Sequence, residues 1–249
     1  MEFLLLVAAG VLAGAMNAVA GGGSFVSMPA LMAAGLPATQ ANASSTVALF
    51  PGALSSTWAY RKDIRPFGKV SLVPLTVVSV IGGLAGAVLL LATPTSVFDR
   101  VIPWLLLLAT VTLVFGPRAR VWLERRDLSI GPTGALVGQA FLGVYAGYFG
   151  GAVGLMMLAF WTLITHEEVK AVNPARAMIV GLANAAAVIC FAVAGAVWWP
   201  QTLAVMAGAV VGGYAGARFG QALPAPVVRV LVVAITAFTT AAFFWRAYV

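Results

Sequence analysis

The sequence predicts an all-α integral membrane protein with about eight transmembrane helices in two repeated halves. Of its 249 residues, 62% are hydrophobic and only 8% are charged, and its long apolar runs are separated by short polar loops. A soluble domain carries about 25% charged residues, and a soluble core of this length cannot bury so much apolar side chain. A spanning helix needs about 20 mostly apolar residues, so the length fits about eight spans.

Apolar runs locate the helices, and charged or Gly/Pro-rich pieces separate them. The expected spans are residues 3–20, 39–60, 70–92, 97–115, 131–149, 172–198, 202–217 and 227–244. Two further apolar pieces, residues 24–34 and 153–164, are too short to span a bilayer. Each follows a glycine-rich helix break, and we expect both to be re-entrant.

Two loops concentrate the basic residues of the chain, which has a net charge of +7. Residues 61–69 and 116–130 are rich in Lys and Arg, so the positive-inside rule places both loops in the cytoplasm. This pattern accounts for the positive charge without nucleic-acid binding. If the two short pieces do not cross, both termini are expected to be cytoplasmic as well.

The chain also repeats itself. Residues 81–87 match residues 211–217 at a spacing of 130, and Gly21-Gly22 matches Gly150-Gly151 at 129. The matches predict a first four-helix repeat at 1–116, a basic cytoplasmic linker at 117–130 and a second repeat at 131–249. An even number of spans per half predicts parallel halves, whereas a short piece that crosses would make them inverted.

The two glycine-rich breaks are candidates for a transport site. Non-helical backbone at membrane depth survives only inside protein or beside a water-filled cavity, and the helix that follows a break directs its N-terminus inward, which suits an anion. The alternative is close packing of small residues, which we favour for the glycines within the repeated stretches 81–87 and 211–217. The candidate residues at the breaks are Gly21, Gly22, Gly23, Ser24, Gly150 and Gly151.

Polar clusters at the starts of the helices that follow extend the candidate site. Its further members are Asn42, Ser44, Ser45, Asn173, Arg176 and Asn184. Helix capping is the alternative for the asparagines at the helix starts, and interhelical hydrogen bonding is the alternative for Asn184. For Arg176 the alternatives are an ion pair with Glu167 or Glu168, or snorkelling to the headgroups.

The residues that enzymes and metal sites use are scarce here. With one histidine, His166, and one cysteine, Cys190, the chain has no catalytic or metal-binding constellation, and we expect no enzyme activity, metal or cofactor. No Asp or Glu lies in the middle of an expected span. This argues against an intramembrane carboxylate relay, or places a coupled proton on His166 or on the substrate.

At these motifs the sequence resembles the TauE/SafE family of sulfite and organosulfonate permeases, also called the toluene-sulfonate uptake permease family. The resemblance covers essentially the whole chain and rests on the first glycine-rich break with Pro29 and on residues 41–46, 82–87 and 173–177. It implies a duplicated bundle in the bacterial inner membrane that moves small sulfur-containing or carboxylate anions. In the second half, Leu158 stands where the first half has Pro29, so the two breaks differ.

The leading hypothesis is a secondary transporter of small anions, with sulfite or organosulfonates such as sulfoacetate as substrates. A passive anion channel, a permease for short carboxylates and a subunit that needs a partner are the alternatives. The expected partners are a small anionic substrate and the lipid bilayer, without nucleic acid, and a homo-oligomer is left open.

Overall fold

The computed structural model describes residues 1–66, 71–124, 131–165, 167, 169–219 and 225–248, which form ten helices and no strands. They are α1 (Glu2–Ala20), α2 (Ser24–Ala33), α3 (Ala38–Tyr60), α4 (Leu72–Ala92), α5 (Thr95–Glu124), α6 (Pro132–Tyr148), α7 (Val153–Thr165), α8 (Val169–Val193), α9 (Trp199–Phe219) and α10 (Ala225–Tyr248). His166, Glu168 and parts of both basic loops, residues 67–70 and 125–130, lie outside the described residues.

Four of these helices contain a segment long and apolar enough to cross a membrane: residues 72–92, 95–116, 171–193 and 230–248. The helices agree with the expected spans to within a few residues at most ends. Two ends differ more. Helix α5 continues to Glu124, so the first part of the expected loop 116–130 is helical. Helix α8 ends at Val193 because Gly195 takes a left-handed conformation with φ 67°. The all-helical, apolar architecture is that of a multi-pass membrane protein.

The bundle has two ends, which contacts between helix termini define. We call the end that contains residues 61–66 the basic end. The start of α3 lies at the opposite end, where the Thr39 and Thr95 hydroxyls are 3.2 Å apart. The C-terminus lies there too, since the Tyr248 hydroxyl donates to the Arg100 carbonyl and Arg246 is 4.0 Å from Asp99. We call this the terminus end.

Helix α1 runs parallel to α9, from the terminus end toward the basic end. Gly10 contacts the backbone of Val205, and Gly14 contacts that of Ala209, so both chains advance in the same direction. Helix α9 begins beside α3, because the Trp198 N–H donates to Ser44 Oγ over 3.1 Å. The N-terminus therefore lies at the terminus end with the C-terminus.

Helices α6 and α4 also pack in parallel, as α1 and α9 do. Both α6 and α4, however, run in the direction opposite to that of α1 and α9. The glycines of α6 lie against those of α4 in parallel register, with Gly143 beside Ser79 and Gly147 beside Gly83. Since α4 begins at the basic end, α6 begins there too. Helix α1 therefore starts at the terminus end of the bundle, whereas α6, its expected counterpart from the sequence matches, starts at the basic end.

The short helices explain this opposite direction. Helix α2 returns the chain to the terminus end, because its Phe25 carbonyl accepts from Thr239 while Met32 Sδ lies near Arg246 at the end of α10. Helix α7 likewise returns toward the basic end beside α5, where Ala159 lies near Gly116. Each half therefore has three long helices after a returning pair.

Two sequence-based expectations are corrected by this geometry. The halves were expected to be parallel, but corresponding helices run in opposite directions. The termini were expected to share a side with the basic loops, but they lie at the end opposite residues 61–66. Both errors have one physical cause. Helices α2 and α7 run back along the bundle, so each returns the chain toward the end from which the preceding helix started.

Close helix contacts hold the bundle together, as we expected for the repeated glycines. A Cβ added at Gly86 would overlap the Val144 carbonyl, and one at Gly212 would overlap the Val11 carbonyl. Between α4 and α6 the interface also contains a buried polar group. Gln139 donates to Ser79 Oγ and accepts from the Trp161 indole, both over 2.6 Å, so its amide is satisfied on both sides.

Candidate functional site

A cavity lies where the two helix breaks meet the middle of α3 and α8. It offers about 100 Å³ in which the centre of a water-sized group can lie, enough for a small anion or several waters. Its described lining consists of Asn17, Gly21, Ser24, Thr46, Leu49, Ala53, Gly150, Val153, Gly154, Arg176, Ala177, Val180 and Asn184.

Each of the two breaks contains a glycine in the left-handed conformation. Gly21 ends α1 with φ 69°, and Gly150 follows the end of α6 with φ 71°, so both take the left-handed conformation that glycine adopts without a steric penalty. Ser24 and Val153, the first residues of α2 and α7, both line the cavity. The N-terminal turns of two helices are therefore at the cavity wall, where their dipoles favour negative charge.

Arg176 supplies the positive charge. It lies in the second turn of α8 and is half-buried, and its Nη1 is 2.8 Å from where a Cβ on Gly154 would be. The guanidinium thus occupies space that the missing side chain of Gly154 leaves open. Among the described residues that line the cavity, Arg176 is the only charged one.

Four neutral polar residues also line the cavity: Asn17, Ser24, Thr46 and Asn184. The Thr46 hydroxyl donates to the Asn42 carbonyl over 3.0 Å. Asn184 Oδ1 is buried and has no hydrogen-bond partner among the described residues. The remaining described lining residues are apolar or glycine.

Seven of the expected site residues do not line this cavity. Asn42 donates to the Tyr148 carbonyl over 2.9 Å, Ser45 shares a 2.6 Å hydrogen bond with Ser27, and Ser44 accepts from the Trp198 backbone. These contacts join helices behind the cavity wall. The other residues outside the lining are Gly22, Gly23, Gly151 and Asn173.

Several lining residues were not predicted. Asn17 lies one turn before the first break, and its carbonyl accepts the Gly21 N–H. It is a polar residue in an otherwise apolar helix, which is a signal that the sequence carries. Thr46 lies one turn after Asn42, in the polar cluster at the start of α3. The apolar members Leu49, Val153 and Val180 carry none, because apolar residues are the rule in these helices.

Hydrogen bonds join α3 to the second half on both sides of the cavity. Toward the terminus end, the Trp198 indole donates to Gln40 Oε1 over 3.1 Å, in addition to the Trp198–Ser44 bond. Toward the basic end, the Thr57 hydroxyl donates to the Ala177 carbonyl over 3.0 Å. Two separate sets of interhelical contacts therefore flank the cavity along the bundle axis.

Comparison with known proteins agrees with this architecture. The sequence model described as "Sulfite exporter TauE/SafE" matches residues 6–243, which is almost the whole chain. The chain belongs to the TauE/SafE family. This membership identifies a membrane transporter and confirms the family resemblance seen in the sequence.

Three curated relatives of this TauE/SafE protein are named as probable membrane transporter proteins. One from Haemophilus influenzae is 29% identical, with 95% of this chain and 92% of the relative aligned. ORF9 from a Sinorhizobium species is 28% identical over 93% and 88%. YfcA from Escherichia coli K12 is 27% identical over 93% and 85%. No solved structure matches the chain.

Proposed function

We propose that this protein is a secondary transporter of small oxyanions, with sulfite or organosulfonates such as sulfoacetate as substrates. The observation that carries the proposal is the Arg176 guanidinium in the cavity between the two helix breaks. Arginine at the centre of a membrane helix costs roughly 2.5–3.5 kcal/mol on insertion scales, and such residues mark substrate and ion pathways.

The chemistry of the cavity favours an oxyanion. A guanidinium donates two parallel hydrogen bonds to a carboxylate, sulfonate or similar group, which an ammonium cannot reproduce. No acidic side chain is among the described lining residues, so a cation would find no counter-charge there. The N-terminal turns of α2 and α7 add to the positive potential. Short carboxylates share this geometry and are the alternative substrates.

For the membrane arrangement we propose six crossing helices, α3–α5 and α8–α10, and two re-entrant pairs, α1–α2 and α6–α7. This revises the eight spans expected from the sequence. The opposite directions of corresponding helices support inverted repeats at 1–116 and 131–249, with residues 117–130 as linker. Exposed tryptophans at both ends, Trp58 near the basic end and Trp104 near the other, suit the two interfaces.

The orientation follows from the basic residues. We assign the basic end to the cytoplasm of a bacterial inner membrane, because residues 61–69 and 116–130 carry the Lys and Arg excess. Both termini then lie on the periplasmic side.

A carrier accounts for the cavity better than a passive channel. Hydrogen bonds from Trp198 bound the cavity on one side and those from Thr57 bound it on the other, so a continuous pore requires both sets to open together. Inverted repeats provide two equivalent arrangements in which one set opens while the other stays closed. Saturable counterflow of labelled sulfite in proteoliposomes distinguishes the two, because a channel gives none.

The test of the site uses Arg176→Lys and Arg176→Gln, with Arg61→Gln as the matched control. Arg61 is exposed at the basic end, where it stacks on Trp58. We expect Arg176→Lys to lose most of its apparent affinity for sulfite, Arg176→Gln to fold without binding, and the control to match the wild type. If Arg176→Gln takes up sulfite with unchanged apparent affinity, the anion is held elsewhere and the proposal fails.

A further inference from the structure

The second helix break differs from the first two residues after its left-handed glycine. Ala152 also takes the left-handed conformation, with φ 56°, and no other described residue with a Cβ does so. Gly23, its expected counterpart at the repeat spacing of 129, is right-handed with φ −57°. Left-handed backbone is strained for a residue with a Cβ and unstrained for glycine. The surrounding structure must therefore hold Ala152 in its conformation, beside the cavity.

Ala152 also determines where α7 begins. Its carbonyl accepts the backbone N–H groups of Leu155 and Met156, over 3.0 and 3.1 Å, and so closes the first turn of that helix. Gly154, which belongs to this turn, lines the cavity. Arg176 Nη1 lies against it, 2.8 Å from where a Cβ on Gly154 would be. The path of the backbone through Ala152 thus sets the position of the cavity wall next to the guanidinium.

The Tyr145 hydroxyl holds the peptide group that precedes Ala152. It donates to the Gly151 carbonyl over 3.0 Å, and the Leu105 carbonyl on α5 lies 3.3 Å away. A phenol has one proton, so the closer Gly151 carbonyl is the main acceptor. That carbonyl and the Ala152 N–H belong to one rigid plane, and φ of Ala152 is the rotation of its Cα relative to this plane. At the first break the corresponding residue is Met16, which has no hydrogen-bond donor.

We propose that Tyr145 is a positioning residue for anion binding. Its hydroxyl holds Ala152 in the left-handed conformation and thereby keeps the first turn of α7 at the cavity wall. Without this bond Ala152 relaxes to an unstrained conformation, and Gly154 moves relative to Arg176. This role rests on the proposed transport of small oxyanions. It adds to the site a residue that is not among the described lining residues and acts through the backbone.

The expected effect is a shift of population. Strain at one left-handed alanine and the net contribution of one hydrogen bond are of similar size, so loss of the bond makes the held arrangement the minor one. The apparent affinity of a ligand falls by the fraction of protein that is competent to bind it. The maximal rate is not reduced in the same way, because saturating substrate restores the competent arrangement.

The first test compares Tyr145→Phe with Tyr148→Phe as the matched control. Both variants remove one phenol oxygen from α6, but the Tyr148 hydroxyl lies 3.5 Å from Thr93 Oγ1, away from the break. Uptake of labelled sulfite into proteoliposomes is measured over a range of concentrations. We expect Tyr145→Phe to raise KM about fivefold and to keep the maximal rate within about twofold of the wild type. The control should leave KM and the maximal rate unchanged.

The second test is a double-mutant cycle with Ala152→Gly. Glycine takes the left-handed conformation without strain, so the break then no longer needs the Tyr145 hydroxyl. We expect Tyr145→Phe to change KM less than about twofold in the Ala152→Gly background. Hydrogen exchange at the amides of Leu155 and Met156 should follow the same pattern, faster in Tyr145→Phe and slow again in the double variant. A general loss of stability would not be reversed in this way.

The outcomes separate this inference from the function on which it rests. If the wild type transports sulfite and Tyr145→Phe leaves KM unchanged, the inference is refuted and the transporter proposal stands. An equal rise in KM with and without Ala152→Gly, or equal effects of the two tyrosine variants, also refutes it. If Tyr145→Phe does not fold, the double variant is compared with Ala152→Gly alone, and a KM more than twofold higher refutes the inference. No uptake by the wild type above that of protein-free vesicles refutes both.

Discussion

Gly212 and Gly213 are neighbours in α9, and the structure predicts opposite effects for the same substitution. A Cβ at Gly212 would overlap the Val11 carbonyl oxygen and lie 2.5 Å from its carbon, where backbone cannot yield without moving α1. A Cβ at Gly213 would have its nearest neighbour, the Gly14 carbonyl, at 3.8 Å, which is ordinary contact. The pair therefore separates close helix packing from the intrinsic effect of replacing glycine.

The magnitudes follow from two terms. Alanine is favoured over glycine in a helix interior by about 1 kcal/mol, and Gly213→Ala should gain part of this. Gly212→Ala should gain the same amount but lose about 1–3 kcal/mol or more to overpacking against the α1 backbone. The gain in helix propensity is common to both variants and cancels, so we expect Gly212→Ala to be less stable than Gly213→Ala by the overpacking cost, about 1–3 kcal/mol or more.

The measurement is thermal unfolding of both variants in the same detergent, followed by tryptophan fluorescence and by recovery of monodisperse protein. Gly212→Ala should unfold well below the wild type, and Gly213→Ala at or above it. Equal midpoints for the two variants would show that α1 and α9 do not approach as closely as described.

Three further predictions concern the orientation, the second break and the buried amide. With Cys190 replaced by alanine, an impermeant thiol reagent outside intact cells should label a cysteine at Tyr248 but not at Arg65, and the reverse pattern would invert the proposed topology. Ala152 has φ 56°, so Ala152→Gly should raise the thermal midpoint by relieving roughly 1 kcal/mol of strain, and a lower midpoint would contradict this. Gln139→Leu should destabilise by about 1–3 kcal/mol because it removes the buried acceptor of the Trp161 indole N–H and the donor to Ser79 Oγ, and an unchanged midpoint would mean that these hydrogen bonds contribute nothing to stability.

The sequence was sufficient to locate most of the helices, because hydropathy and glycine or proline breaks are local signals. The direction of the halves was not a local property. It depends on whether α2 runs back toward the terminus end. The ten mostly apolar residues of α2 do not indicate in which direction the helix runs along the bundle. Only tertiary contacts, such as that between Met32 and Arg246, decide it.

The candidate site was partly predictable for a related reason. Arg176 and Asn184 stand out because charged or amide groups in apolar helices are costly and need a function or a partner. Within residues 42–46, however, only Thr46 lines the cavity, while Ser44 and Ser45 bond to other helices. Successive helical residues point about 100° apart, and the sequence does not fix the rotation of α3 about its axis.

Thr110 and Thr240 are 130 positions apart, and their hydroxyls share a buried 3.0 Å hydrogen bond between α5 and α10. On the proposed repeat each threonine therefore contacts its own counterpart, as residues on the two-fold axis of a symmetric homodimer do. In the proposed inverted repeat, the chain corresponds to two half-length polypeptides inserted in opposite directions. Such a half-length ancestor would have needed dual topology, with too little charge bias to fix its orientation. Fusion removes that ambiguity, because one set of basic loops then orients both halves.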